Sequence, residues 1–295
     1  MSQQTSHISH RTSDIKLIEC PRDAMQGWKN FIPTQKKIEY INQLLKVGFD
    51  TIDFGSFVSA KAIPQMADTK EVIGQLSIVN NKTKLLAIVA NVRGAIEASF
   101  YDAITYLGFP FSISPTFQLR NTNSTIEQSL EHVKDIKNIC DKNKKETVVY
   151  ISMAFGNPYK DEYNEDIVLE WVDKLVDEGI TIISLADTVG IALPSQVASV
   201  TKKVTNAFSE IETGVHLHST NVNWQQKIDA ALHQGCMRFD GALKGIGGCP
   251  MADDKLVGNM DTELMIPYFK ELGYCKEIDV YELAHSIKLA SEIFV

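Results

Sequence analysis

Apolar residues follow two alternating rhythms along this chain. Short runs rich in β-branched and aromatic side chains fall at 15–19, 51–54, 85–90, 109–114, 148–153, 181–185, 214–218 and 237–242. Their length and composition predict strands. Between them, apolar residues recur at helical spacing near 35–47, 65–76, 93–107, 125–142, 165–178, 195–208, 222–234 and 262–272. Several of these segments end at a glycine (Gly48, Gly179, Gly235, Gly273), as helices do when the chain leaves through a left-handed residue. Strands alternating with helices predict a parallel sheet. Eight such units favour closure into a (β/α)8 TIM barrel. The expected organisation is a polar tail over 1–14, a single TIM-barrel catalytic domain over 15–295, and an additional C-terminal helix at about 279–293. The alternative is an open Rossmann-type sheet. Against it, the first strand runs into Glu19-Cys20-Pro21-Arg22-Asp23 rather than a glycine-rich phosphate turn.

Charge and cysteine usage narrow the function classes. The 295 residues carry 29 basic and 37 acidic side chains, a net charge of −8. That balance argues against a general nucleic-acid partner, which needs clustered Lys and Arg to neutralise phosphates. A local basic patch for one phosphorylated cofactor stays compatible. The five cysteines are an odd number without a CxxC pair, which reads as free thiols in a reducing compartment. Residues 1–14 lack both an apolar signal core and an amphipathic, arginine-rich transit pattern, and no 18-residue apolar stretch occurs. The expectation is a cytoplasmic protein with no membrane partner.

A barrel of this kind collects its chemistry at the C-terminal ends of the strands. The first strand ends in Arg22-Asp23, the second at Asp53 and the sixth at Asp187. An Arg-Asp pair beside a buried strand is either a salt bridge that closes the rim or a ligand carboxylate beside a fixed cation. Asp187, in Asp187-Thr188-Val189-Gly190, is equally a rim acid or a turn residue. The seventh strand ends His216-Leu217-His218. Residues i and i+2 of a strand share a face, so the imidazoles project together. The eighth strand leads into Lys244-Gly245-Ile246-Gly247-Gly248-Cys249-Pro250 and then Gly258-Asn259, a glycine-rich stretch suited to an active-site loop. Strands seven, eight and one are neighbours across a barrel closure, so Asp23, His216, His218 and Asn259 can converge. One carboxylate, two imidazoles and one amide oxygen, with no thiolate, suit Mg²⁺ or Mn²⁺ in an open catalytic site.

These stretches resemble 3-hydroxy-3-methylglutaryl-CoA lyase, within the wider group of metal-dependent barrel lyases and Claisen-condensing synthases. The resemblance runs over about 15–275. It is carried by Pro21-Arg22-Asp23, Ser56-Phe57-Val58-Ser59, Pro64-Gln65-Met66, Asn121-Thr122-Asn123, Asp187-Thr188-Val189-Gly190, His216-Leu217-His218, Gly247-Gly248-Cys249-Pro250 and Gly258-Asn259. The loop cysteine is its specific element, since the condensing synthases lack it.

The resemblance implies an enzyme that cleaves an acyl-CoA substrate to acetyl-CoA and acetoacetate by retro-Claisen chemistry, as in leucine degradation or ketone-body formation. It implies Asp23, His216, His218 and Asn259 as ligands of a divalent metal. Arg22 would face the thioester oxygen, and Cys249 would sit on a closing loop as a proton donor, with His216 as the other candidate. Asp53 and Asp187 would be rim acids, Gln26 and Lys29 would lie near the substrate or its CoA portion, and a homodimer would be the assembly. The chain departs from the family's pattern at Ala24, at Asp53 in place of a glutamate, at Asn157 in place of a cysteine, and at Ser219 and the residues up to Trp224. Two rival readings are a Claisen-type synthase that builds a 2-hydroxy acid from acetyl-CoA and a 2-oxo acid, and an inactive barrel kept for binding.

Overall fold

A computed structural model describes residues 14–78, 82–248 and 258–295. Eight strands, β1 (Lys16–Glu19), β2 (Thr51–Ser56), β3 (Lys84–Ile88), β4 (Ile104–Ser112), β5 (Glu146–Ser152), β6 (Ile182–Ala186), β7 (Glu212–His216) and β8 (Arg238–Gly241), pair in parallel in sequence order. The barrel closes where β1 pairs with β8 in register from Lys16↔Arg238 to Glu19↔Gly241. The helices are α1 (Pro21–Gln26), α2 (Thr34–Leu44), α3 (Thr69–Ile73), α4 (Val92–Ser99), α5 (Pro115–Thr122), α6 (Ile126–Lys142), α7 (Glu165–Asp177), α8 (Pro194–Ala207), α9 (Trp224–Leu232), α10 (Thr262–Glu271) and α11 (Val280–Ile293). The predicted (β/α)8 barrel is therefore the observed fold, and α11 is the expected additional C-terminal helix.

Two apolar layers follow from the period of two along each strand. The larger lies between barrel and helices and includes Val149, Ile151, Ile183 and Leu185. The alternate positions Leu86, Ile88, Tyr106, Val148, Tyr150 and Ile182 form a separate cluster inside the barrel. Polar residues share this inner face. Arg238 is fully buried, ion-paired to Glu212 at 3.1 Å, and its guanidinium lies 5.6 Å from the Tyr106 ring. Gly214 makes room for it, because a Cβ there would meet the Arg238 side chain at 2.9 Å. Strand β8 thus directs Arg238 and Asp240 inward.

Some element boundaries move. The predicted helix over 93–107 stops at Ser99, and β4 starts early at Ile104. A buried run such as Ile104-Thr105-Tyr106-Leu107 suits either element until its partner strands are known. The segment near 65–76 splits into a short turn at Pro64–Met66 and α3. Helix α5 was not anticipated. Pro115 opens it, and the Ser114 side chain caps it by accepting the Phe117 N–H. Helix α11 docks on α2 through Gln43–Glu282 hydrogen bonds, and Phe294, just after α11, makes edge contacts with Tyr40 of α2 and with Trp28 in the loop before it.

Candidate active site

The residues read from the strand ends gather at the C-terminal mouth of the barrel. Helix α1 begins directly after β1, its first position pre-set by Pro21, so Arg22 and Asp23 lie on the rim. The register of β2 slips between Asp53 and Gly55. Such a bulge re-aims nearby side chains, and Asp53 meets Arg22. The Arg22 Nε donates to Asp53 Oδ2 at 3.0 Å, Nη2 donates to the same oxygen, and Nη1 donates to Asp23 Oδ1 at 3.0 Å. Burial alone would lower the Arg22 pKa, but the two carboxylates outweigh it and hold it above its usual value. Burial pushes Asp53 up, to about 6, against the pull of Arg22.

Asp23 is the hub. Its Oδ1 accepts from Gln26 Nε2 at 2.7 Å, and its Oδ2 accepts from Asn259 Nδ2 at 2.7 Å and the Gly248 N–H at 3.2 Å. Burial opposes ionisation here, but Arg22, then His216 and the Asn259 bond, overcome it and bring the pKa down to about 2. Asn259 arrives because the chain after the loop pairs antiparallel with the end of β7, bridging His218 to Asn259. Gly247 closes over this group at φ +132°, where a Cβ would sit 2.2 Å from Asn259 Nδ2 and 2.8 Å from Asp23 Oδ2. Only glycine fits there.

The His216 and His218 rings lie 5.5 Å apart between centroids. Nδ1 of His216 pairs with Asp240 Oδ2 at 3.0 Å, leaving Nε2 as its free ring nitrogen. Against the lowering effect of burial, Asp240 holds the His216 pKa above its ordinary value. His218 is buried, and burial first, then His216, lowers its pKa to about 3, so it is a neutral imidazole with a lone pair to give. Its Nδ1 and the Oδ1 of Asn259 are buried without a hydrogen-bond partner among the described residues. Orphaned buried acceptors beside an ionised carboxylate fit a divalent cation held by oxygen and nitrogen donors. Asp23, His216, His218 and Asn259 are the residues that could hold one.

A cavity of roughly 970 Å³, counting its open mouth, adjoins this group. Arg22, Asp23, Gln26, His216 and His218 line its polar wall, and Ile88, Pro110 and Tyr150 face them. Asn121 and Thr122 of α5 also line it. Asp187 stands behind the rim: Oδ1 accepts the Ala192 N–H at 3.0 Å and Oδ2 accepts from Lys227 Nζ at 2.8 Å. Lys29 is exposed on the loop after α1, outside the residues lining the cavity. Cys249 lies outside the described residues; the loop leading to it is tied to Asp23 through Gly248.

Two buried groups at this mouth escaped the strand-end reading. Asp240 orients His216 through its ring. Lys227 of α9, fully buried, donates to the His218 carbonyl at 2.7 Å as well as to Asp187. The Arg238-Phe239-Asp240 alternation on a barrel strand was a usable signal for the first. Lys227 offered none, since a lysine on an amphipathic helix reads as solvent-facing.

The model of the family described as HMGL-like matches residues 15–289. The chain belongs to that family. HMGL-like relatives share about three residues in ten with it. A mitochondrial hydroxymethylglutaryl-CoA lyase of Arabidopsis thaliana is 31% identical over 95% of this chain, which spans 60% of that protein's length. A hydroxymethylglutaryl-CoA lyase of Bacillus subtilis is 31% identical over 92% of this chain and 90% of its own. An (R)-citramalyl-CoA lyase of Chloroflexus aurantiacus is 29% identical over 89% of this chain and 85% of its own. Among solved structures, an HMG-CoA lyase of A. baumannii in complex with coenzyme A and 3-methylmalate superposes with a TM-score of 0.87 at 32% identity, covering 95% of this chain and 91% of that one.

Proposed function

We propose that the chain is a metal-dependent lyase that cleaves 3-hydroxy-3-methylglutaryl-CoA, or a close 3-hydroxyacyl-CoA, to acetyl-CoA and acetoacetate. The observation that carries this reading is the meeting of Arg22, Asp23, His216 and His218 on one wall of the cavity, with Asn259 bonded to Asp23 and two buried acceptors left open. When bound there, a divalent ion such as Mg²⁺ or Mn²⁺ supplies Lewis acidity to the substrate's hydroxyl and carboxylate oxygens.

Arg22 contributes a fixed positive charge, held in place by two carboxylates before the reaction starts. Charge developing on a thioester oxygen as the C2–C3 bond breaks meets a donor that needs no rearrangement. Asp53 is assigned the role of fixing Arg22 for that contact, since both of its oxygens accept from the guanidinium and it lies outside the residues that line the cavity. We assign the proton returned to the enolate carbon to Cys249 rather than His216. Nδ1 of His216 is engaged with Asp240, and its other nitrogen is needed as a ligand. Asp187, occupied by Lys227 and Ala192, is assigned the role of bracing the rim. Gln26 on the cavity wall and Lys29 at its exposed approach are assigned to substrate and CoA contacts.

The citramalyl-CoA lyase among the relatives makes the acyl group the open variable. Citramalyl-CoA has one methylene fewer between the tertiary carbon and the carboxylate, and its cleavage releases pyruvate instead of acetoacetate. Incubation with each ester and Mg²⁺ separates the two readings by product. Acetoacetate from the first ester supports the proposal. Pyruvate formation alone moves the substrate to the shorter acid, and condensation of acetyl-CoA with a 2-oxo acid in place of either cleavage makes the chain a synthase. An acyl-CoA partner, a homodimeric assembly and a cytoplasmic location complete the proposal. The free thiols of Cys20, Cys140, Cys236 and Cys275 support the last, and no helix among the described residues is long and apolar enough to cross a membrane.

A further inference from the structure

Cys20 directly follows β1, in step with the inward positions Lys16 and Ile18, and it is fully buried. Its Sγ, a ring nitrogen of His216 and a carboxylate oxygen of Asp240 all lie within 4.8 Å of one another. Asp240 is itself buried, and its Oδ1 has no hydrogen-bond partner among the described residues. The charged groups facing the thiol are Asp240, Asp53 and Asp23 on one side of the balance and Arg22 on the other. This is an acidic environment for a soft ligand.

We propose that Cys20, His216 and Asp240 form a second metal site, selective for a thiophilic divalent ion such as Zn²⁺, whose occupation empties the hard-metal site. Three ligand atoms no more than 4.8 Å apart enclose a point about 2.8 Å or less from each. Zinc bonds run to about 2.3 Å for sulfur and 2.0–2.2 Å for nitrogen and oxygen, so shifts below an ångström complete the site. A hard ion such as Mg²⁺ gains nothing from the thiol, whereas zinc does. On binding, the thiol proton leaves to solvent. The ion also takes the place of the proton between His216 Nδ1 and Asp240 Oδ2, and that proton moves to Nε2. A His216 ring protonated at Nε2 has no lone pair there for the hard-metal site, so the two occupations exclude each other. This exclusion rests on the ligand set proposed above; the soft site itself does not.

Cobalt and manganese make the two claims separately readable. Added alone to the metal-free protein, Co²⁺ gives a strong thiolate-to-cobalt charge-transfer band in the near ultraviolet, saturating at one ion per chain. Cys20→Ser abolishes the band and Cys249→Ser keeps it. Mn²⁺ bound to the protein, followed by its electron spin resonance, is released by Zn²⁺ from the wild type. Release from Cys20→Ser needs at least about tenfold more zinc. No band, or a band that survives Cys20→Ser and vanishes in Cys249→Ser, overturns the site. A cobalt band without manganese release keeps the soft site and overturns the exclusion. Should Cys20→Ser fail to fold, X-ray absorption of the zinc-loaded Cys249→Ser protein decides: a sulfur shell near 2.3 Å is expected, and its absence refutes the site.

Discussion

Lys227 and Asp187 form an ion pair in which both side chains are buried, and the same ammonium holds the His218 carbonyl. Replacing Lys227 with Met removes the cation and leaves Asp187 as an uncompensated buried charge. Breaking a buried pair from one side costs about 3–5 kcal/mol. Unfolding entropies near 2.1 cal/mol/K per residue give this chain roughly 0.6 kcal/mol/K, so the melting temperature should fall by about 5–8 °C. The double variant Lys227→Met/Asp187→Asn neutralises the stranded charge, while the asparagine oxygen still accepts the Ala192 N–H. It should recover more than half of the lost stability. The His218 carbonyl stays without its donor, so Mn²⁺ affinity should remain about 10- to 100-fold down in both variants. Calorimetry and Mn²⁺ titration read the two effects apart. A melting temperature within a degree of wild type for Lys227→Met, or full Mn²⁺ affinity in the double variant, would refute this view of Lys227 as the brace of the rim.

Further expectations follow from the same geometry. Asp240→Asn should keep the fold but weaken Mn²⁺ binding about 10- to 100-fold, because it no longer fixes the His216 ring; unchanged affinity in a Mn²⁺ titration counts against that role. Glu19, buried against the Leu243 N–H and Thr262 Oγ1, is pushed by burial up to about 8 from 4.5. The folded state then holds a proton that the unfolded state has lost, so stability should fall with rising pH between about 4.5 and 8, by about 1.4 kcal/mol per pH unit at most. Denaturant midpoints against pH should show that slope in the wild type and a flatter line in Glu19→Gln. Gly247→Ala forces a Cβ onto Asn259 and Asp23 and should lower Mn²⁺ affinity by more than it lowers the melting temperature, which a paired titration and thermal scan would show.

What could be read before the fold was known divides along physical lines. Parallel barrel strands are buried on both faces, so runs such as 148–153 stand out as continuous apolar blocks, and the alternation with helices is plain. The same property blurs the start of β4, because Ile104–Leu107 fits a helix end as well as a strand. Asp23, His216 and His218 could be picked out because strand ends are where a barrel exposes chemistry. Asn259 needed the family resemblance or the closure, since its contact to Asp23 spans 236 positions. Asp240 and Lys227 act through other residues from inside a strand and from a helix, where local pattern assigns them to packing and to solvent. Their roles depend on which strand and helix lie beside β7, and only the assembled barrel decides that.

Arg22 beside the four candidate ligands makes one measurement decisive. The protein is stripped of metal with a chelator and given 3-hydroxy-3-methylglutaryl-CoA, and acetoacetate is followed before and after adding Mg²⁺ or Mn²⁺, in the wild type and in Arg22→Met. Expected are no product without metal, restored product with it, and a loss of about 10²-fold or more in Arg22→Met measured at saturating Mn²⁺. Acetoacetate formed at full rate by the metal-free protein, or near-wild-type turnover by Arg22→Met, would contradict the proposed chemistry.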